Sequence, residues 1–530
     1  MNVLVLLMAC KADPPADLVL TGGTVHLDVE SSTDALAIRG GVVVATGADA
    51  LELVGKETES HDLGGAHVYP GFHDAHVHLL AGSFALDRLL LLGSPSMTSM
   101  ANAVADYAPE HPEEPWVVGY GWLSENIAAP DGRPISAVLP DRPALLVSNS
   151  GHEAIVNAKA LEIAGIDAST PNPPGGTIGR DPDTGELTGW LAETAVSLVS
   201  PVVLEAYDDA LLSAALPAQM EQFSRAGITG VSEILAVPGM PIGRPWIYRD
   251  LEDRGELPLR VTYYMPIFKL DDVATVAAER GDYDGNLVRF GGGKVWVDGS
   301  MGSAEAWLEE PYVDSTSVGS AYWTTEDLTA VVDAAEAEGM PLKLHVNGDA
   351  AIDATLDAFE AVATSRGGLT QTHVLEHCVL PDDDDIARIV ALGMVVSVQP
   401  THYVAAMFGD TADALGDRFD HAYDYERLRA GGIPLANGTD WPVWPSAQPF
   451  VVAWNGANSE APHDLPVIDG IRAYTEGGGR AVSRPDELGR LDVGYLADFI
   501  VLGSDPLTVP LDSVPDTEIR EVWVNGARVR

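Results

Sequence analysis

An alternation in the second half of the chain constrains its fold more than any other feature. Short apolar strands take turns there with helical segments. Leu342-Lys343-Leu344-His345 follows a helical stretch over 328–338, and another over 350–366 precedes Thr372-His373-Val374-Leu375-Glu376-His377. A helix over 385–392 leads into Met394-Val395-Val396-Ser397-Val398-Gln399, and one over 425–430 into Ile433-Pro434-Leu435-Ala436. This βαβα rhythm is what a parallel barrel or a doubly wound sheet requires. Polar landmarks stand just after these strands, at their C-terminal ends, and in a β/α barrel that end is the catalytic face.

The landmarks are of ligand type. Far upstream, Pro70-Gly71-Phe72-His73-Asp74-Ala75-His76-Val77-His78 brings a β-favouring run into His-x-His. Residues i and i+2 of a strand share a face, so His76 and His78 can offer two imidazoles to one zinc-class ion. A lone His-x-His is weak, because solvated strands carry it too. Lys294, His345, His377 and Asp440 then follow, each at or near a strand end. Taken singly, each has a plain explanation: a satisfied core histidine, a snorkelling lysine, a turn-forming aspartate. Six such residues at strand ends are much harder to attribute to chance.

With these motifs the chain resembles the amidohydrolase superfamily, and within it the subgroup (amidohydrolase family 3) that includes N-substituted formamide deformylase. The resemblance runs from Pro70-Leu79 through Gly119-Tyr120-Gly121-Trp122, Gly151-His152-Glu153, Gly227-Ile228-Thr229-Gly230-Val231 and Lys294–Ser303, then His345–Asp349, Gln399-Pro400-Thr401-His402 and Asp440-Trp441-Pro442. It implies an α/β fold: a metal-dependent-hydrolase (β/α)8 TIM-like barrel with a small discontinuous β-sandwich domain from both termini and an inserted α+β segment. It implies one or two Zn2+ ions, with His76, His78 and Asp440 around one and His345 and His377 around a second. Lys294, carbamylated by carbon dioxide, would bridge them, since a carbamate supplies two anionic oxygens where an ammonium would repel the cations. Asp440 would be ligand and catalytic base, moving a proton from the attacking water to the leaving nitrogen. His152 and His402 would bind the substrate carbonyl or carboxylate, with Trp122 and Trp441 as apolar walls. Asp74, Asp298 and Asp349 are expected to support ligands or shape loops. The implied reaction is cleavage of a non-peptide amide or N-substituted formamide bond. The alternatives are another hydrolytic target (an ester, a cyclic amide, an N-acyl amino acid) or a non-catalytic surface binding protein on the same fold. One departure bears on substrate: where the family continues Arg-Thr-Ala after Gly302-Ser303, this chain has Ala304-Glu305-Ala306. An anionic substrate group that would use that arginine is therefore not expected.

The ends of the chain share a β-rich texture, with strand-like segments over 18–20, 24–27, 35–38 and 42–44 and again over 497–502 and 521–526. They predict a composite β domain from 18–69 and 485–530 around a barrel spanning 70–484, with the insertion at about 98–220. The formal net charge of −49 argues against nucleic acid and anionic membrane surfaces as partners, both of which would repel it. Partners are expected to be a small-molecule substrate and a second copy of the chain, as a homodimer. The two cysteines, Cys10 and Cys378, exclude a disulfide framework. Leu7-Met8-Ala9-Cys10 resembles a lipobox, which makes 1–17 a lipoprotein signal and tether and puts the protein in a bacterial cell envelope, anchored at Cys10. Without that signal the location is cytoplasmic. The acidic run Asp382–Asp385 reads as a solvated loop feeding acids to the N-terminus of the next helix.

Overall fold

The computed structural model describes residues 13–530 apart from 128, 174, 237–243, 282–284, 408–409, 445–446 and 459–464. Cys10 and the lipobox lie outside the described residues. Eight parallel strands form the central sheet in chain order: β1 (Phe72–Val77), β2 (Ile228–Ile234), β3 (Arg260–Pro266), β4 (Val288–Trp296), β5 (Leu342–Val346), β6 (Val374–His377), β7 (Val395–Val398) and β8 (Leu435–Asn437). The sheet curls into a barrel whose seam is closed just beyond β8. There the Asp440 N–H donates to the His76 carbonyl at 2.8 Å and the His78 N–H to the Trp441 carbonyl at 2.9 Å. The closure places Asp440 beside the two histidines that end β1.

Helices Thr325–Ala337, Asp349–Arg366, Asp383–Leu392 and Tyr425–Ala430 alternate with β5 to β8, as the sequence rhythm predicts. The acidic run behaves as expected at the head of its helix. Asp382 caps it, and a reciprocal pair of bonds joins Asp382 and Asp385 (2.8 and 3.0 Å). Such a cap is worth about 0.5–2 kcal/mol. The barrel is filled rather than hollow: Ala75, Val374, Val395 and Ala436 pack together inside it.

Among the described residues, three further sheets accompany the barrel. Between β1 and β2 runs a six-stranded sheet whose members include Val117–Trp122, Ala144–Ser148, Glu153–Val156 and Leu187–Glu193. The chain ends build a sandwich. Strands Leu18–Thr21, Leu36–Arg39, Val42–Thr46 and Glu59–Asp62 make one layer. In the other, His67–Pro70 pairs with Thr24–His26 on one side and, on the other, with Phe499–Leu502 from the C-terminal part, which in turn pairs with Ile519–Val524. Leu20, Ile38, Val68, Phe499 and Trp523 share the core between the layers.

Candidate metal centre

His76 and His78 leave β1 on the same side, as the period of a strand dictates. Their Nε2 atoms lie 3.4 and 3.2 Å from one oxygen of Asp440, so the three form a compact buried group that can hold a metal ion. Asp440 stands in a left-handed turn (φ 53°) after Gly438. A Cβ on Gly438 would come within 2.7 Å of the His76 Cβ, so only glycine lets this turn approach β1. Asp74 braces the turn from below. Its carboxylate accepts from the Thr439 N–H at 2.9 Å, the Thr439 hydroxyl at 2.7 Å and the His76 N–H at 3.2 Å.

The histidine tautomers follow from their outer partners. His78 Nδ1 lies 3.2 Å from the Ile234 carbonyl and must donate to it, so in the neutral ring Nε2 carries the lone pair. His377 Nδ1 donates to Gln399 Oε1 at 2.8 Å, while the Gln399 amide nitrogen donates to Ser397, which fixes the glutamine's orientation. His76 Nδ1 faces Glu376 Oε2 at 2.8 Å. The other Glu376 oxygen accepts from Lys343 Nζ at 2.7 Å, and Lys343 also donates to the Ala75 carbonyl at 2.7 Å. Lys343 and Glu376 are both fully buried and plug the barrel under the site.

Sequence reading missed Glu376, because strict alternation would turn it away from the face that His377 uses. The backbone removes that restriction: His377 has φ 70° and Cys378 φ 48°, so the strand breaks and consecutive residues both reach inward. Glu233 was missed as well. It is a buried glutamate on β2 that accepts from the Leu79 and Leu80 N–H groups (2.6 and 3.0 Å) and so caps the helix after His78. Burial pushes its carboxyl up to about 8, although the backbone N–H groups pull the other way. An acid inside an otherwise apolar strand is the signal for each.

Lys294 points into the same region from β4. It is 1% exposed, and its Nζ has no hydrogen-bond partner among the described residues. Burial pushes its amine down to about 8, while Glu376 and Asp440 oppose the shift. Asp440 goes the opposite way: burial would raise it, but His76, His78 and His377 hold it well below the usual carboxylate range. Its Oδ1 and the Nε2 of His402 also lack hydrogen-bond partners among the described residues. Buried polar groups left unpaired are costly, so this donor set fits a bound cation.

A second group that can hold an ion joins His377, His402 and Asp440. His345 stands outside it. Its ring is 4.5 Å from that of His377, but its Nε2 takes the Asn347 amide at 2.8 Å. His402, read from the sequence as a substrate contact, is thus closer to the ligand set in this structure than His345. Asp298 holds the loop after β5 by accepting from the Asn347, Gly348 and Trp307 N–H groups at about 3.0 Å, and Asp349 accepts from the Glu309 N–H at 2.9 Å.

Above these groups opens a cavity of about 280 Å³, lined by His345, His377, His402 and Asp440 on the barrel side and by Trp122, Asn149 and His152 from the inserted sheet. Among the described residues lining it there is no arginine or lysine. Burial pulls His152 down, but Glu193, 2.6 Å from its Nδ1, overcomes this and raises it. Trp122 reaches the cavity with its indole N–H fixed on the Leu146 carbonyl at 2.9 Å. Trp441 departs from the wall role expected of it: its ring is buried in the packing, edge-on to Phe223 and over Gly82, because the chain there is pinned to β1 by backbone bonds.

A model of the amidohydrolase family matches residues 59–530 of the chain. The Bacillus subtilis protein YtcJ, named as an amidohydrolase, is 30% identical over 529 residues, which cover 95% of this chain and 98% of that one. N-substituted formamide deformylase of Arthrobacter pascens is 25% identical over 547 residues, covering 96% and 97%. A solved metal-dependent hydrolase from Pyrococcus furiosus is similar over 93% of this chain and 100% of its own, with a TM-score of 0.73 and 25% identity.

Proposed function

This chain belongs to the amidohydrolase family, and on that premise we propose that it hydrolyses a non-peptide C–N bond, in an amide or an N-substituted formamide. The observation that carries the reading is the meeting of His76, His78, His377, His402 and Asp440 under one cavity, with buried polar atoms left unpaired. His76, His78 and Asp440 would hold one zinc-class ion and His377 with His402 or His345 a second. Lys294 would join them as a carbamate. A divalent ion there supplies Lewis acidity toward a carbonyl and lowers the pKa of water. The chain's own residues do the rest. Asp440, held as a carboxylate, takes a proton from the attacking water and delivers it to the departing nitrogen. His152, its proton held more tightly by Glu193, holds the substrate carbonyl, joined by His402 where His345 fills the ligand place, and Trp122 covers its apolar side. A lining without arginine or lysine among the described residues suits a neutral amide better than a substrate carboxylate.

The test is amine release from a panel of N-substituted formamides and simple amides, with alcohol release from the matching esters as a second panel. It uses protein purified with zinc and bicarbonate, alongside the same protein stripped by chelator. Amine release that disappears on chelation and returns with zinc supports the reading. Turnover of esters alone would move the reaction to C–O bonds, and no turnover of either panel by metal-replete protein would leave a binding protein on this fold.

A further inference from the structure

A second set of ligand-type residues lies on the terminal β-sandwich, away from the cavity. Strand Thr24–His26 runs parallel to His67–Pro70, with Thr24 opposite His67 and Val25 opposite Val68. Val25 and Val68 turn into the sandwich core, so the alternation puts His26, His67 and Tyr69 together on the other face. His26 Nε2 and His67 Nδ1 are 3.2 Å apart, and the His26 ring stacks on Tyr69 with centroids 4.1 Å apart. Asp505 arrives from the other end of the chain, just past Phe499–Leu502, the strand that pairs with His67–Pro70. One donor atom from each of His26, His67 and Asp505 falls within 4.8 Å of the other two, and all three residues are half-buried.

We propose that His26, His67 and Asp505 form a second, structural site for a zinc-class divalent ion, which ties the N-terminal and C-terminal parts of the sandwich together. Two imidazoles and one carboxylate are a zinc-type donor set. Ligand atoms around tetrahedral zinc lie about 3.4 Å apart, so the two histidine nitrogens, 3.2 Å apart, already stand near the right separation, with the carboxylate within 4.8 Å of both. The carboxylate is oriented for this. One of its oxygens accepts from the Tyr69 hydroxyl at 2.7 Å and from the Leu507 N–H at 2.9 Å. The other oxygen is left for the ion. A buried tyrosine holding a ligand carboxylate is the kind of outer support that metal sites use. None of the three residues lines the cavity of the barrel, so the site stands whether or not the reading of the barrel does.

The experiment counts metal by elemental analysis after equilibration with zinc, and follows the melting temperature as zinc is added. It compares the unaltered protein with His67→Ala, His26→Gln, Tyr69→Phe and the barrel pair His76→Ala/His78→Ala. His67→Ala and His26→Gln are each expected to lose one ion per chain and the zinc-dependent rise in melting temperature, with turnover unchanged. Tyr69→Phe is expected to weaken zinc about tenfold or more. The barrel pair is expected to keep the sandwich ion and its effect on melting. An unchanged metal count and melting response in both His67→Ala and His26→Gln would overturn the proposal. So would a loss of metal in them that abolishes turnover, which would make the ion the barrel's own. If His67→Ala does not fold, His26→Gln alone carries the comparison.

Discussion

His76 and His373 each lie 2.8 Å from a buried glutamate, the first at the C-terminal mouth of the barrel and the second at the N-terminal end of β6. At the lower pair every polar atom is used. His373 Nε2 donates to Glu336 and its Nδ1 accepts from the Leu342 N–H at 3.1 Å. Glu336 also accepts from the Thr370 N–H and hydroxyl (2.9 and 2.8 Å) and from the Gln371 N–H at 3.1 Å. At the upper pair Glu376 is matched by Lys343, but the far side of His76 meets only Asp440, and Asp440 Oδ1 and Lys294 Nζ have no hydrogen-bond partners among the described residues. One residue pair thus serves two ends. Complete pairing closes a joint between a helix and two strands, and incomplete pairing leaves a place for a ligand.

The largest effect expected from breaking the upper arrangement is on turnover. Asp440→Asn keeps the volume of the side chain but removes the carboxylate that would carry the proton, so kcat/KM on a working amide substrate should fall by about 10²–10⁴-fold, or roughly 3–5 kcal/mol. Thermal melting of the variant should stay close to that of the unaltered protein. Unchanged kinetics would remove Asp440 from the reaction.

Glu376→Gln should disturb both roles, since this glutamate belongs to a closed pair on one side and an open one on the other. Lys343 would keep a buried charge without its carboxylate, at a cost of about 3–5 kcal/mol, read by denaturant unfolding. His76 would lose the partner that orients it, and metal affinity should fall about 10–100-fold, read by competition with a chelator. If stability drops but metal affinity holds, Glu376 serves only the barrel plug.

The barrel was legible because each strand from β5 to β8 is a short, largely apolar run with a polar residue at or just past its end, and the crossover helices between them have clear ends. The sandwich was legible because the same texture recurs at 18–46 and 497–524. What escaped depends on backbone geometry that no periodicity records. The positive φ at His377 turns that histidine inward beside Glu376, and the amide of Asn347 occupies Nε2 of His345. Trp441 reads equally well as a wall or as packing until closure of the seam fixes it. Long-range pairs such as Lys343 with Glu376 join neighbouring strands that are 33 residues apart in sequence, so the sequence gives each residue but not the partner.

The lower pair sharpens the comparison through a smaller effect that should leave the chemistry alone. Burial would raise the Glu336 carboxyl, yet the bonds from His373 and Thr370 outweigh it and hold the group at about 2, against an ordinary value of 4.5. A carboxylate depressed on folding adds stability that is complete above its unfolded value and is lost as pH falls through the folded one. The contribution should therefore be flat above about pH 5 and should disappear between about pH 4.5 and 2. Glu336→Gln keeps the shape but weakens the acceptors of four donors, which should cost about 1–3 kcal/mol at neutral pH. That deficit should shrink toward zero as the pH approaches the folded value, because the unaltered protein then loses the same charge. Unfolding curves of the two proteins across acid pH give the difference directly, and kcat of the folded fraction should be the same for both. A deficit that stays constant down to pH 2 would mean that shape rather than charge closes this joint.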